Sequence, residues 1–115
     1  MPLMKITTNV MLPEKQRETL LAPLSRLLAE CTGKPEAYCM VACEQAAMLF
    51  AGQRGATAFV DVRGIGGLDH EVNAKLSAGL AVEIKKALGV PPDRRYVTFT
   101  EVAASNWGWN GELFG

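Results

Sequence analysis

Few side chains in this sequence can do covalent or acid–base chemistry at neutral pH, and they are scattered. The three cysteines, Cys31, Cys39 and Cys43, are an odd number and lack the paired spacing of metal ligands. His70 is the single histidine, so neither a zinc site nor a Ser-His-Asp triad is readily assembled. The thiols read as reduced side chains in a reducing compartment. Pro2, Lys34, Tyr96, Trp109 and Phe114 each have an ordinary reading when taken alone. Pro2 is a common second residue. Lys34 follows a helix exit, where a cation meets the helix dipole. Tyr96 is strand scaffold, and the tail aromatics pack against a core or an interface.

Bulk properties narrow the classes further. At 115 residues the chain makes one domain, 1–115, with 49% apolar residues and no low-complexity tract. Twelve basic residues balance twelve acidic ones. The adjacent basic pairs Lys85–Lys86 and Arg94–Arg95 form no stripe that would track a phosphate backbone, which argues against nucleic acid as a partner. No apolar run is long enough to span a bilayer, and the N-terminus lacks the layout of a signal peptide, so the expected location is cytoplasmic.

The elements that must position any site follow from periodicity. Residues 2–9 are extended in character, with Ile6, Thr7 and Thr8 favouring a strand. From 14 to 32, Leu20, Leu24, Leu27, Leu28 and Cys31 form the apolar stripe of a packed helix, stopped by Gly33 and Pro35. Pro23 inside it predicts a kink or a late start. Tyr38 to Cys43 reads as an apolar strand. The plan then repeats, with a strand over Ala58 to Val62 and a turn at Gly64-Ile65-Gly66-Gly67. A helix over 70–88 follows, capped by Asp69 and carrying Val72, Leu76, Leu80, Ile84 and Leu88 on one face. Tyr96 to Thr100 is the last clear strand, and Asn110-Gly111 predicts a tight turn in the tail.

Two strand–helix–strand units imply a four-stranded sheet with both helices on one face. The runs Tyr38–Cys43 and Thr57–Val60 are apolar at nearly every position, as expected of strands covered on both faces. One chain has nothing left to cover the second face, so a second copy is expected to do it.

In this order and register, several segments resemble the macrophage migration inhibitory factor family. They are Met1-Pro2, Thr32-Gly33-Lys34-Pro35, Gly64-Ile65-Gly66-Gly67, Pro92-Asp93-Arg94-Arg95-Tyr96 and Trp109-Asn110-Gly111-Glu112-Leu113-Phe114. The resemblance covers the whole chain. It implies an α+β fold of β-α-β-β-α-β subunits, each a four-stranded mixed sheet with two helices on one face. Three subunits would form a homotrimer whose sheets surround a central channel, with active sites at the subunit interfaces. It further implies that Pro2 carries the catalytic amine, Lys34 binds substrate, and Ile65 forms a pocket wall whose backbone contacts the ligand. Tyr96 matches the aromatic lent by a neighbouring subunit, and Trp109 and Phe114 match the aromatic rim. Thr98 stands where the animal cytokine has a substrate-contacting asparagine, and threonine reaches less far. Thr57 and Val60 stand where that cytokine carries a Cys-x-x-Cys pair, so the thiol oxidoreductase activity attributed to the pair is expected to be absent. Gly64 replaces the family's usual serine.

The implied chemistry is keto–enol tautomerisation by an isomerase of the phenylpyruvate tautomerase or dopachrome isomerase type, needing no metal and no cofactor. It requires a base of near-neutral pKa and a means of holding an enolate. An α-amine starts near ~8, and burial or a neighbouring cation lowers that value. Met1 must first be removed, because otherwise the Pro2 nitrogen is an amide. Proline is small enough at position two for that removal to be expected. Lys34 suits a substrate carboxylate, and the aromatics suit a ring, so the expected substrate is a small keto or enol acid bearing an aromatic group. The competing expectation is a cytokine mimic, released without a signal peptide, that acts on a host receptor while the pocket is vestigial. The presence of both Pro2 and Lys34 favours retained chemistry.

Overall fold

In the computed structural model, which describes residues 1–115, the predicted elements form in the predicted order. Strand β1 (Pro2–Thr8) leads to helix α1 (Glu14–Thr32) and strand β2 (Met40–Gln45). Strand β3 (Ala58–Gly64), helix α2 (His70–Leu88) and strand β4 (Arg95–Glu101) repeat the plan. A short hairpin, β5 (Gly108–Trp109) and β6 (Glu112–Leu113), closes the chain. The sheet order is β2-β1-β3-β4, parallel within each unit and antiparallel where β1 meets β3. No helix is long and apolar enough to cross a membrane.

The core lies between the helices and one face of the sheet. Met4 and Ile6 of β1 and Ala58, Val60 and Val62 of β3 point inward at every second position, the period of a strand. Leu20, Leu24 and Leu28 of α1 meet them, as do Leu76, Leu80, Ile84 and Leu88 of α2. Both helices end on a left-handed glycine, Gly33 at φ 69° and Gly89 at φ 70°, each donating its N–H back to a carbonyl of the last turn. The tail hairpin turns through Asn110 and Gly111, both at positive φ, as a tight two-residue turn demands.

Two readings need correction. The first helix does not start late: it begins at Glu14 and runs through Pro23. The carbonyl that Pro23 cannot bond belongs to Thr19, an exposed residue beside a groove between the helices. Tyr38 is not in the second strand. It ends a single 3₁₀ turn, Glu36–Tyr38, that Pro35 starts, and the strand begins at Met40. The apolar runs do show side chains to both faces of the sheet, though the second face is mixed. Val41 and Cys43 pack inward, whereas Met40 and Ala42 face out. The open face carries the ion pairs Lys5–Glu44 and Arg63–Asp61, each at 3.1 Å. Its apolar residues gather in two islands: Leu3 and Met40 near Pro2, and Phe59 and Tyr96 towards the opposite end.

Helix α2 depends on its start more than α1 does. The Asp69 carboxylate accepts from the Val72 N–H at 2.9 Å, whereas α1 begins after Pro13 with no side-chain cap. Asp69→Ala should therefore cost about 1 kcal/mol in denaturant unfolding. An unchanged unfolding midpoint would show that the cap contributes nothing.

Candidate active site

Pro2 is the first residue of β1 and is buried. The antiparallel register sets it opposite Gly64, so the start of the chain lies against the Gly64–Gly67 turn. That turn is anchored from β4: the Gly64 carbonyl accepts from the Val102 N–H at 2.8 Å, and Glu101 Oε1 accepts from the Leu68 N–H at 3.2 Å. Lys34, placed by the Gly33 helix stop, reaches the same turn. Gly67 lies at φ +76°, which is what calls for glycine there, and a Cβ on it would be in ordinary contact with Lys34 Cε at 3.4 Å. Met1, Pro2, Thr32, Lys34, Gly64 and Gly66 share one tight crevice. Lys34 has no carboxylate within ion-pair distance, which leaves its charge for a ligand.

On its other side Pro2 borders a cleft of about 330 Å³. Leu3 and Met40 line it from the strands and Met1 from just ahead of β1, Tyr38 from the 3₁₀ turn and Cys39 from just after it, and Trp107, Trp109 and Phe114 from the tail. The rings are ordered against one another. Trp109 stacks with Phe114 at 6.1 Å and meets Tyr38 edge-on at 5.9 Å. The Phe114 N–H donates to the Trp107 carbonyl at 3.1 Å, folding the tail back over the cleft. The volume and lining suit one aromatic ring with a short polar arm.

With Met1 in place the Pro2 nitrogen is an amide, and the amine that the structure presents is that of Met1. Burial holds that amine below its ordinary value of 8.0; Lys34 pushes it the same way, and Cys39 opposes. Removing Met1 would move the amine one residue inward, to a buried position beside the same lysine.

Of the residues singled out in the sequence, Pro2, Lys34, Trp109 and Phe114 converge on this site. Ile65 lies between Gly64 and Gly66 at its edge, though its side chain lines neither cavity. Tyr96 and Thr98 lie elsewhere. The register Tyr96↔Phe59↔Thr7 places Tyr96 two strands across and about 17 Å along the sheet from Pro2. Both are exposed, and their spacing of two puts them on the same open face. Sequence reasoning missed Tyr38, Cys39, Met40 and Trp107 as cleft residues. The signal was present at Pro35, which starts a turn and carries the next residues away from the strand.

The sequence profile of the macrophage migration inhibitory factor family matches residues 1–115. The chain belongs to that family. It is 34% identical over 119 residues to the macrophage migration inhibitory factor of Meriones unguiculatus, covering 99% of each chain. Among solved structures, the Toxoplasma gondii macrophage migration inhibitory factor superimposes with a TM-score of 0.94 at 34% identity, over 97% of this chain and 99% of that one. A homologue from Prochlorococcus marinus gives a TM-score of 0.93 at 38% identity, over 98% and 99%.

Where the animal family members were expected to carry a cysteine pair, this chain has structural residues. Thr57 is buried and donates through Oγ1 to the Arg94 carbonyl at 2.6 Å, and Val60 is in the core. Burial, the leading cause in each case, pushes the Cys31, Cys39 and Cys43 thiols up from the usual cysteine value, so little thiolate exists at pH 7. Insulin reduction should therefore stay at the level of a mock control. Turnover above it, lost on Cys39→Ser or Cys43→Ser, would contradict this assignment.

Proposed function

We propose that this protein is a keto–enol tautomerase whose general base is the Pro2 amine, released when Met1 is removed. The observation that carries the reading is the placement of buried Pro2 between an unpaired lysine and an aromatic cleft. A ketone's α-proton needs a base that is neutral near pH 7, and burial beside Lys34 is how an α-amine becomes one. Lys34 would hold the substrate carboxylate, and the backbone at Ile65 would border the ligand. The rings of Trp109 and Phe114 would cover the substrate's aromatic group. The proton that Pro2 takes from carbon returns to the enolate oxygen or, in reverse, passes from enol to carbon. Nothing is oxidised or reduced, and the reaction makes no demand on a cofactor.

The reading includes a homotrimer. Tyr96 and Thr98 cannot reach Pro2 within one subunit, yet both stand exposed on the open sheet face with the apolar island of Phe59. A neighbouring copy that brings Tyr96 to the rim of the cleft would bring Thr98 with it and cover that island. Light scattering should give three times the monomer mass at micromolar concentration, and a stable monomer would remove the shared site. The relatives' name supports a second reading, a released form acting on a host receptor, which binding to mammalian cells would test.

The chemical test is a pH–rate profile on an enolisable phenylpyruvate. The base works as the neutral amine, so the rate should fall as pH drops through its lowered pKa, where protonation removes the lone pair. One alanine inserted between Met1 and Pro2 would shift the free amine by about 3.8 Å and make it primary, with every core residue unchanged. Activity should drop at least ~100-fold in an intact trimer. Near-wild-type activity in that trimer would exclude Pro2 as the base. Lys34→Ala should raise KM for acid substrates roughly tenfold or more through loss of a charge-assisted contact.

A further inference from the structure

Arg94 is built into the structure around Tyr96 in a way that its surface position does not require. Its Nε donates to the Ala56 carbonyl at 3.0 Å, and its Nη2 to the Gln53 carbonyl at 3.2 Å. Its own carbonyl accepts from buried Thr57. The guanidinium carbon lies 5.6 Å from the centre of the Phe50 ring, and the opposing loop lies alongside it, where a Cβ on Gly55 would be in ordinary contact with Nη2 at 3.4 Å. No carboxylate pairs with this cation, so its charge is spent on two carbonyls and one ring. Phe50 sits on a two-residue turn in which Phe50 and Gln53 exchange backbone hydrogen bonds at 3.0 and 3.2 Å. That turn needs positive φ at both central residues, and Ala51 adopts φ 54° without glycine's freedom. The turn is therefore held from outside, by the Arg94 bond to the Gln53 carbonyl. Phe50 in turn packs on Tyr96, with ring centres 5.0 Å apart and planes at 50°.

We infer that Arg94 is a positioning residue for the tautomerase site: it fixes the Phe50 turn, and the Phe50 ring sets the orientation of Tyr96 for an aryl substrate bound at a neighbouring subunit. This rests on the tautomerase reading for its consequence in catalysis, but not for its geometry. Only a planar fork can reach two carbonyls and lie over a ring together, so lysine cannot replace it. Loss of that orientation should fall on substrates with a ring and spare small alkyl 2-oxo acids, which the Tyr96 face does not stack.

Two readouts separate this inference from the reading beneath it. The first needs no activity. Tyr38 and Tyr96 are the only tyrosines, so ¹³Cζ-tyrosine spectra give two resonances, assigned with Tyr38→Phe. Arg94→Lys should shift the Tyr96 resonance, because the Phe50 ring current moves, and leave that of Tyr38 in place. The second is kinetic. Arg94→Lys and Phe50→Leu should each raise KM for an aryl 2-oxo acid about five- to tenfold, the scale of one aromatic contact, with kcat and the acid limb of the pH profile little changed. Neither should alter KM for an alkyl 2-oxo acid, and neither should add to the effect of Tyr96→Ala in a double-mutant cycle. If Arg94→Lys does not fold, the Phe50→Leu substrate split decides the matter. An unmoved Tyr96 resonance, equal losses on aryl and alkyl acids, or full additivity with Tyr96→Ala overturns the inference. A shifted Tyr96 resonance in an enzyme inactive on both acids would remove the tautomerase reading and leave the positioning of Tyr96 standing.

Discussion

Everything at the candidate site depends on the antiparallel pairing of β1 with β3. That register sets Pro2 opposite Gly64, buries Met4 and Ile6 against the helices, and leaves Lys5 and Thr7 on the open face. A slip of one residue would turn each of these side chains to the other face, so the core that stabilises the subunit also fixes where the chain terminus lies. Burying a terminal amine carries a desolvation cost, and the amine of Met1, just ahead of the paired strand, bears it. The same burial, reinforced by Lys34, disfavours the protonated form. Stability and basicity thus draw on one arrangement.

Much of this was legible in the residues. The leucine stripes at three and four, the Gly33 and Gly89 stops and the Asp69 cap have local causes, and they stand where periodicity and capping chemistry put them. The errors arose where tertiary context outweighs a local pattern. Pro23 stands inside an unbroken helix, on the groove that α1 shares with α2, which no spacing reveals. The run from Tyr38 to Cys43 is apolar throughout, yet Pro35 turns Tyr38 and Cys39 into the cleft and only Val41 and Cys43 reach the core. The convergence of Pro2 and Lys34 was not visible from composition or periodicity, because it is made by a long-range strand register and a glycine stop. It entered through family resemblance, and the geometry supplies the physical reason those positions belong together.

The site residues divide between two ends of the sheet. Pro2, Lys34 and the tail aromatics gather at one end, and Tyr96 with its Phe50 and Arg94 supports stands at the other. One chain gathers Pro2, Lys34 and part of an aromatic wall, but the cleft remains open where Trp109 is 57% exposed. Tyr96, packed by Phe50 on one side, is still 67% exposed. Trimerisation in the proposed sense would answer both deficits with one interface, and would give a reason for the apolar islands that the open face keeps beside the ion pairs of Lys5 and Arg63.

The central claim is that the Pro2 nitrogen is a free, neutral amine at physiological pH. Its most direct measurement is a ¹⁵N-proline NMR titration of the processed protein, with Met1 loss verified by intact mass, compared between wild type and Lys34→Ala. The account predicts a Pro2 nitrogen that titrates below the ordinary α-amine value of about 8, and a higher value once the lysine charge is removed. A Pro2 nitrogen that titrates at or above that value, indifferent to Lys34, would contradict it.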